Sequence, residues 1–108
     1  SDVGGYTTVK NILVKVVRDR ELFYRWAELN IFQPFYRTHE GLRPDVNHQF
    51  YSDSASVAFF ARTSNMHLAL KEYRKQYEAR QTPIPIIHPL LIDFPDDTIC
   101  YDLKYQFM

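Results

Sequence analysis

The chain has 108 residues and a mass of 12.9 kDa, which is the size of one small domain, and 16% of its residues are aromatic. Thirteen basic and thirteen acidic side chains cancel without clustering by sign, which argues against a nucleic-acid partner or an anionic membrane surface. The longest apolar run, residues 83–92, is too short to span a membrane and contains His88 and three prolines. With Cys100 as the only cysteine, an internal disulfide and a cysteine-based zinc site are excluded.

The first segment, residues 1–8, holds two of the three glycines in the chain. Gly4-Gly5 allows the backbone to adopt positive φ and to pass close to a ligand. We therefore expect Asp2 and Tyr6 to project from the end of a strand, where they would line a site. An ordinary glycine turn is the alternative interpretation.

The next two segments predict a strand and a helix. Residues 9–17 are rich in β-branched side chains, which favour a strand. From about Arg18 to Phe32, apolar residues recur with a helical period. Asp19 and Glu21 lie near the start of this helix, where its dipole favours negative charge. Aromatic side chains in this region and beyond are expected in the core: Phe23, Trp26, Phe59 and Phe60.

A polar loop, residues 35–44, follows the proline-terminated end of that helix at Gln33-Pro34. Arg37 offers a planar fork for an anion, and His39 can donate to a hydroxyl or share charge with a carboxylate. Loops held by a rigid scaffold are where binding groups collect, although such a group of residues is also typical of a solvated turn. We interpret Glu40 as a loop residue that either forms a salt bridge or supports the residues that contact the ligand.

A long helix is predicted from about Ser54 to Arg80, starting at the N-cap cluster 52–54 and closed by Thr82-Pro83. His67 in this helix is interpreted as a surface or packing histidine. The residues expected to face inward are Val57, Phe60, Ala61, Ser64, Leu68, Tyr73 and Tyr77. Residues 84–92 then predict a buried strand.

The sequence lacks several motifs that indicate a metal site, a catalytic nucleophile or a nucleotide-binding site. The four histidines, at positions 39, 48, 67 and 88, form no i, i+4 pair and have no cysteine partners, so a metal site has no support. The sequence also lacks a nucleophile elbow and both glycine-rich nucleotide-binding patterns. We therefore predict no metal and no cofactor.

Five pieces follow one another in a characteristic order: Ser1-Asp2-Val3-Gly4-Gly5-Tyr6, Arg25-Trp26-Ala27-Glu28-Leu29, Phe32-Gln33-Pro34-Phe35, Arg37-Thr38-His39-Glu40-Gly41 and Pro85-Ile86-Ile87-His88-Pro89-Leu90. In that order they resemble the C-terminal part of the catalytic barrel of glycoside hydrolase family 31, with the greatest likeness to its sulfoquinovosidase branch. The resemblance covers nearly the whole chain. It departs from the family pattern in the longer 9–17 connection and at His88, where the family usually has arginine.

The resemblance implies an α/β fold, the C-terminal portion of an incomplete (β/α)8 TIM barrel, because a complete barrel needs roughly 250 residues. Residues 1–97 would belong to the barrel, and residues 98–108 would begin the following β-domain. Asp2, Tyr6 and His39 would bind the sugar, and Arg37 would either touch the ligand or support the loop.

By the same resemblance, the parent protein would be a retaining α-glycoside hydrolase acting on a sulfoquinovoside or an α-glucoside. Both catalytic aspartates of the family lie on earlier strands, so the segment contains no catalytic residue and is expected to be inactive alone. Its partners would be the carbohydrate substrate and the remainder of its own catalytic domain. Two alternatives remain: a non-catalytic sugar-binding fragment and a small α/β interaction domain.

Overall fold

A computed structural model of the chain describes residues 2–11, 13–80 and 83–108, so Ser1, Ile12, Gln81 and the expected helix end at Thr82 lie outside the described residues. The chain divides into two compact units, Ser1–Leu70 and Lys71–Met108. The first unit contains β1 (Val9–Lys10), β2 (Lys15–Val16), α1 (Arg20–Asn30) and α2 (Ser54–Ala69). The second contains α3 (Lys71–Glu78) and two short 3-10 helices, Leu90–Ile92 and Thr98–Tyr101. No helix in the described part of the chain is both long enough and apolar enough to cross a membrane.

The segment 9–17 forms an antiparallel hairpin, so the prediction of one strand was wrong. β1 and β2 pair with Val9 opposite Val16. Asn11 causes the reversal, because its side-chain oxygen accepts from the backbone N–H of Val14 at 2.6 Å. Asparagine side chains favour turns by making such local hydrogen bonds, and here this preference overrides the strand propensity of the neighbours.

The helix predicted from about Arg18 to Phe32 is confirmed as α1, with slightly narrower bounds. Asp19 is its N-cap, and the carboxylate accepts from the backbone N–H of Leu22 at 2.8 Å. The regular helix ends at Asn30, and a tighter turn carries the chain to Gln33, whose N–H donates to the Asn30 carbonyl at 3.1 Å.

The core of the first unit consists of Val3, Phe23 and Ala27, all completely buried. Phe59 and Phe60 pack against it, so the core assignment of three of the four predicted aromatics is confirmed. Trp26 was assigned wrongly, since it is 36% exposed. The inward stripe of α1 runs through residues 23, 27 and 30, which leaves position 26 at its edge.

The helix predicted over residues 54–80 is two helices, α2 and α3. Leu70 separates them, with ψ near 3° instead of the helical value. The Asp53 carboxylate caps α2 by accepting from the backbone N–H of Ser56 at 2.7 Å, as the polar cluster at 52–54 predicted. Five of the eight residues of α3 are charged and none is fully buried, so it has no buried apolar face.

The inward face of α2 was also predicted wrongly in part. Ser56 and Thr63 are its fully buried residues, while the predicted Phe60 and Ser64 are half-buried. Val57, Ala61 and Leu68 are exposed, as is Tyr73 in α3. The reason is hydrogen bonding: Ser56 contacts the Tyr24 hydroxyl at 3.1 Å, so a polar side chain is satisfied inside the unit.

Residues 84–92 do not form the predicted strand. Leu90–Ile92 is a 3-10 helix, and only an isolated antiparallel bridge joins Pro89 to Phe107. Prolines lack the N–H that a strand ladder requires, which accounts for the error in a segment that contains Pro85 and Pro89 and follows Pro83. The division at residue 97/98 stays a prediction.

Candidate functional site

Two loops lie side by side in the first unit: the Asp2 loop, residues 2–8, and the His39 loop, residues 35–44. A parallel bridge joins Val3 to Thr38, and the Val3 N–H donates to the Arg37 carbonyl at 3.0 Å. Farther along, the Leu42 N–H donates to the Tyr6 carbonyl at 3.2 Å. These backbone contacts bring all four predicted site residues into adjacent segments of chain.

Asp2 and Arg37 form an ion pair across the two loops. The Asp2 Oδ1 and Arg37 Nη2 atoms are 3.2 Å apart, and the Arg37 side chain is 69% exposed. Oδ1 is inaccessible to solvent and the contact lacks hydrogen-bond geometry, so the attraction between the two charges is what compensates this buried oxygen. Among the described residues, Asp2 Oδ1 accepts no hydrogen bond, so the ion pair is what holds this oxygen in place.

Tyr6 and His39 form the second pair across the loops. Their rings meet edge to face, with centroids 4.8 Å apart, and both side chains are exposed. The Gly41 N–H donates to His39 Nδ1 at 3.0 Å. Because Nδ1 accepts this bond, the neutral ring carries its proton on Nε2, which makes Nε2–H the donor available to a ligand hydroxyl.

Gly41 permits the turn that fixes the His39 ring. Its φ is +83°, and a β-carbon there would come within 2.6 Å of the Asn47 side-chain amide nitrogen. Gly4 and Gly5 also have positive φ, as the sequence predicted for this pair.

Glu40 connects the His39 loop to the segment that follows it. The Tyr51 hydroxyl donates to Glu40 Oε1 at 3.0 Å, and this hydrogen bond raises the pKa of Tyr51. The Glu40 carbonyl accepts from the Gln49 side-chain amide at 2.9 Å. The carboxylate thus accepts a hydrogen bond from a phenol, where the sequence had suggested either a salt bridge or a supporting position next to the ligand contacts.

Sequence reasoning missed Arg18, which is the most heavily bonded side chain of the site region. It is 2% exposed, and its guanidinium donates to carbonyl oxygens on both loops, including Val3 at 3.0 Å and His39 at 2.8 Å. Burial lowers the pKa of Arg18 from its ordinary value. An arginine just before an amphipathic helix is typical of a solvated face, so the local sequence carried no signal of this role.

His88, the position that departs from the family pattern, lies in the second unit. Nδ1 is 2.7 Å from the Pro85 carbonyl oxygen, and Nε2 is 2.7 Å from Asp93 Oδ2. Within the described residues, no group of three or more histidine, cysteine, aspartate or glutamate side chains is arranged to hold a metal ion.

Comparison with known families establishes the class of this chain. Residues 1–87 match the model for the glycosyl hydrolases family 31 TIM-barrel domain. The chain therefore belongs to glycosyl hydrolase family 31.

Among curated relatives, the chain is 41% identical to a sulfoquinovosidase of Escherichia coli (strain K12), over 100% of this chain and 16% of the relative. It is 40% identical to a sulfoquinovosidase of Agrobacterium fabrum, over 96% of this chain and 15% of the relative. It is also 30% identical to neutral alpha-glucosidase AB of Mus musculus, over 100% of this chain and 11% of that protein.

A solved structure of a family 31 sulfoquinovosidase from E. rectale, in complex with the aza-sugar inhibitor IFGSQ, superposes with a TM-score of 0.88 at 38% identity. The match covers 99% of this chain and 16% of that chain. The described fold is thus shared with a segment of a family 31 enzyme about six times as long.

Proposed function

We propose that this chain is part of a retaining α-glycoside hydrolase and supplies a portion of its sugar-binding site. It would form the C-terminal portion of the (β/α)8 barrel, with residues 98–108 leading into a following β-domain. The observation that carries this proposal is the convergence of the Asp2–Arg37 and Tyr6–His39 pairs on two bonded loops. Because the chain belongs to glycosyl hydrolase family 31, we interpret this group of side chains as a site that binds carbohydrate.

Each of the four side chains has a distinct task in this proposal. His39 Nε2–H donates to a sugar hydroxyl and orients the sugar, while the Asp2 carboxylate accepts from another hydroxyl, and the Asp2 contact strengthens as positive charge develops on the sugar. Tyr6 contributes an exposed aromatic surface beside the imidazole. Arg37 holds Asp2 by charge, and its exposed guanidinium is also within reach of an anionic ligand.

The catalytic carboxylates belong elsewhere in the proposed enzyme. Retention requires two carboxyl groups about 5–5.5 Å apart, one acting as nucleophile and the other as general acid and base. We assign both to earlier strands of the barrel. Of the acidic residues at this site, Asp2 is paired with Arg37 and Glu40 accepts from Tyr51, which suits binding and support. The 108 residues alone would therefore not hydrolyse a glycoside.

The proposed protein partner is the remainder of the same catalytic domain. Large apolar side chains are exposed on the isolated chain, among them Phe35 at 73% and Phe32 at 61%. Covering such side chains is favourable at about 25 cal/mol for each Å² of apolar surface removed from water. A longer chain that closes the barrel would supply this cover.

We propose a sulfoquinovoside as the substrate, with a neutral α-glucoside as the second candidate. The first choice rests on the two sulfoquinovosidases that are about 40% identical to this chain, against 30% for the alpha-glucosidase. Exposed Arg37 beside the sugar-binding pairs is compatible with an anionic sugar.

The test uses the full-length natural protein that carries these residues. Purified enzyme is assayed with 4-nitrophenyl α-sulfoquinovoside and with 4-nitrophenyl α-glucoside, and the anomeric product is followed by NMR. We expect hydrolysis with retention and a higher kcat/KM for the sulfonated substrate. Hydrolysis of the glucoside alone would reassign the substrate, and binding of an aza-sugar without turnover would instead favour a non-catalytic sugar-binding protein.

Variants of the site then connect the activity to these residues. We expect His39→Ala and Asp2→Asn to lower kcat/KM roughly 10- to 100-fold, the range for one lost hydrogen bond that leaves a polar partner unsatisfied. Asp45→Asn is the matched control, because Asp45 also pairs with an arginine, Arg43 at 2.8 Å, but is exposed. Equal activity of all three variants would contradict the assignment of the site.

A further inference from the structure

We propose that Arg18 is a positioning residue for the sugar-binding site: its guanidinium fixes the backbones of the Asp2 loop and the His39 loop relative to each other. This inference rests on the proposed function and extends it to a residue that touches no substrate. The observations that carry it are the depth of burial of Arg18, the distribution of its hydrogen bonds and the chemical nature of its acceptors.

The guanidinium bonds to three separate segments. Nη1 donates to the carbonyl oxygens of Val3 at 3.0 Å and His39 at 2.8 Å, so one nitrogen joins the two loops directly. Nη2 donates to Gln49 Oε1 at 2.7 Å, and Nε donates to the His48 carbonyl at 2.7 Å. Longer contacts reach the carbonyls of Gly5 at 3.3 Å and Glu40 at 3.4 Å.

The backbone of Arg18 is held as firmly as its side chain. Its N–H donates to Asn47 Oδ1 at 3.2 Å, and its carbonyl accepts from the His48 N–H at 2.8 Å. Asn47 also donates to the Thr8 hydroxyl at 2.7 Å, at the end of the Asp2 loop. Because the backbone of Arg18 is fixed, its guanidinium has a fixed position. The hydrogen bonds of the guanidinium then hold both loops relative to that position.

Every acceptor in these bonds is a neutral oxygen. A charge buried among neutral groups needs many well-directed hydrogen bonds, and the arginine fork can supply five donors in a fixed plane. Lysine has three donors on a compact ammonium and cannot reproduce that plane. Losing the fork would leave carbonyls of both loops without their donor, including that of His39 itself.

The consequence for catalysis follows from geometry. His39 donates to the sugar through a ring that is oriented by the turn at Gly41, and the carbonyl of His39 is tied to Arg18. Displacement of a positioning group by about 1 Å can cost roughly 100-fold in rate, although no contact with the substrate is lost. We therefore expect a large part of the effect of Arg18 on catalysis to act through the His39 side chain.

A double-mutant cycle in the full-length protein tests this coupling. We expect Arg18→Lys to lower kcat/KM at least tenfold in the wild-type background, and by a clearly smaller factor in the His39→Ala background. Ala27→Gly is the control for lost stability, because Ala27 lies in the core and makes no contact with substrate in the proposal. Multiplicative losses in the double variant, or Arg18→Lys activity within about twofold of wild type, would overturn the inference.

Amide hydrogen exchange gives a readout that does not depend on substrate. Arg18→Lys should lower the protection of residues 3–8 and 37–42 while leaving α1 and α2 protected. Loss of protection throughout the first unit would indicate a general folding role and refute positioning. If the wild-type protein lacks glycosidase activity, the proposed function fails, and the exchange pattern still decides whether Arg18 positions the loops.

A second variant covers the case in which Arg18→Lys does not fold. Gln49→Leu removes one acceptor of the fork and the donor to the Glu40 carbonyl, while Arg18 itself is retained. We expect a smaller fall in kcat/KM and a loss of protection confined to the His39 loop. Unchanged exchange in that loop would count against the proposal.

Discussion

The side chain of Arg18 fills the space that a β-carbon on Gly4 would occupy. A β-carbon built there would overlap Arg18 Cδ and lie 3.0 Å from Cγ. The lack of a side chain at Gly4 therefore leaves room for the buried Arg18 side chain. The sequence had suggested that this glycine allows a ligand to approach the backbone. The glycine and the arginine form a matched pair in which a change at one affects the position of the other.

Gly4→Ala is expected to destabilise the protein and to disturb the sugar site. The φ of +83° costs an alanine roughly 1–3 kcal/mol, and the overlap with Arg18 adds a displacement of the guanidinium. Gly5→Ala is the matched control for backbone strain, because its φ is +80° and its β-carbon would meet only the edge of Trp26 at 3.3 Å. Thermal unfolding of the two full-length variants should show the larger loss for Gly4→Ala; equal losses would contradict the pairing with Arg18.

The role of Arg37 can be separated from that of Asp2 by a second cycle. If Arg37 acts by holding Asp2, Arg37→Ala and Asp2→Asn should be coupled by about 0.5–1 kcal/mol in kcat/KM, a modest value because the guanidinium is largely exposed. Additive effects would instead indicate that Arg37 contacts the ligand on its own. Raising the salt concentration should weaken the coupling, since exposed ion pairs are screened.

The stability of the second unit should depend on the charge of His88. Oxygen acceptors lie at both ring nitrogens, so only the imidazolium donates to both Pro85 and Asp93. The Asp93 hydrogen bond, followed by that of the Pro85 carbonyl, raises the pKa of His88. Because the folded pKa exceeds the unfolded value of about 6.5, the stabilisation is fully present below about pH 6.5 and is lost as pH rises through the folded pKa.

Amide protection factors of residues 86–93 measure this effect locally. They should be larger at about pH 5.5 than at about pH 8.5, and Asp93→Asn should reduce the difference. Asp96→Asn serves as the control, since Asp96 is an exposed neighbour. An unchanged pH dependence in Asp93→Asn would contradict the role of this pair.

His48 predicts the opposite pH dependence in the first unit. Burial lowers the pKa of His48, and its Nε2 lies 2.8 Å from the Ser56 hydroxyl oxygen at the start of α2. A folded pKa below about 6.5 means that the stabilisation is present above that pH and is lost as pH falls through the folded pKa. Protection of the first turn of α2 should therefore decrease on acidification, and His48→Gln should remove much of that decrease.

Local signals predicted some elements well because nothing in the packing opposed them. The segment of α1 carried acidic residues near its start, Asp19 and Glu21, and a helical period that includes Phe23. In the fold, Asp19 caps the helix and Phe23 is buried. The order of motifs also predicted that Asp2, Tyr6, Arg37 and His39 would come together, and adjacent loops bring them there. Their contact with a sugar stays a prediction.

The remaining features depend on pairings that are distant in sequence. The inward positions of α2 are polar because Ser56 and Thr63 meet the hydroxyls of Tyr24 and Tyr36, and hydrophobic periodicity cannot anticipate such partners. Arg18 gave no signal for a similar reason, since its acceptors lie 13 to 31 residues away along the chain. A charged side chain is assigned to the surface unless those acceptors are known.

The β1–β2 hairpin joins the rest of the first unit at paired positions, Val9 and Val16. Its ends are therefore fixed independently of its tip, where Leu13 is 92% exposed. Additional residues at the tip would lengthen the ribbon without changing the distance between the Asp2 loop and Arg18. We therefore expect the tip to tolerate insertions, and it offers an attachment point for a label that leaves the two loops of the site undisturbed.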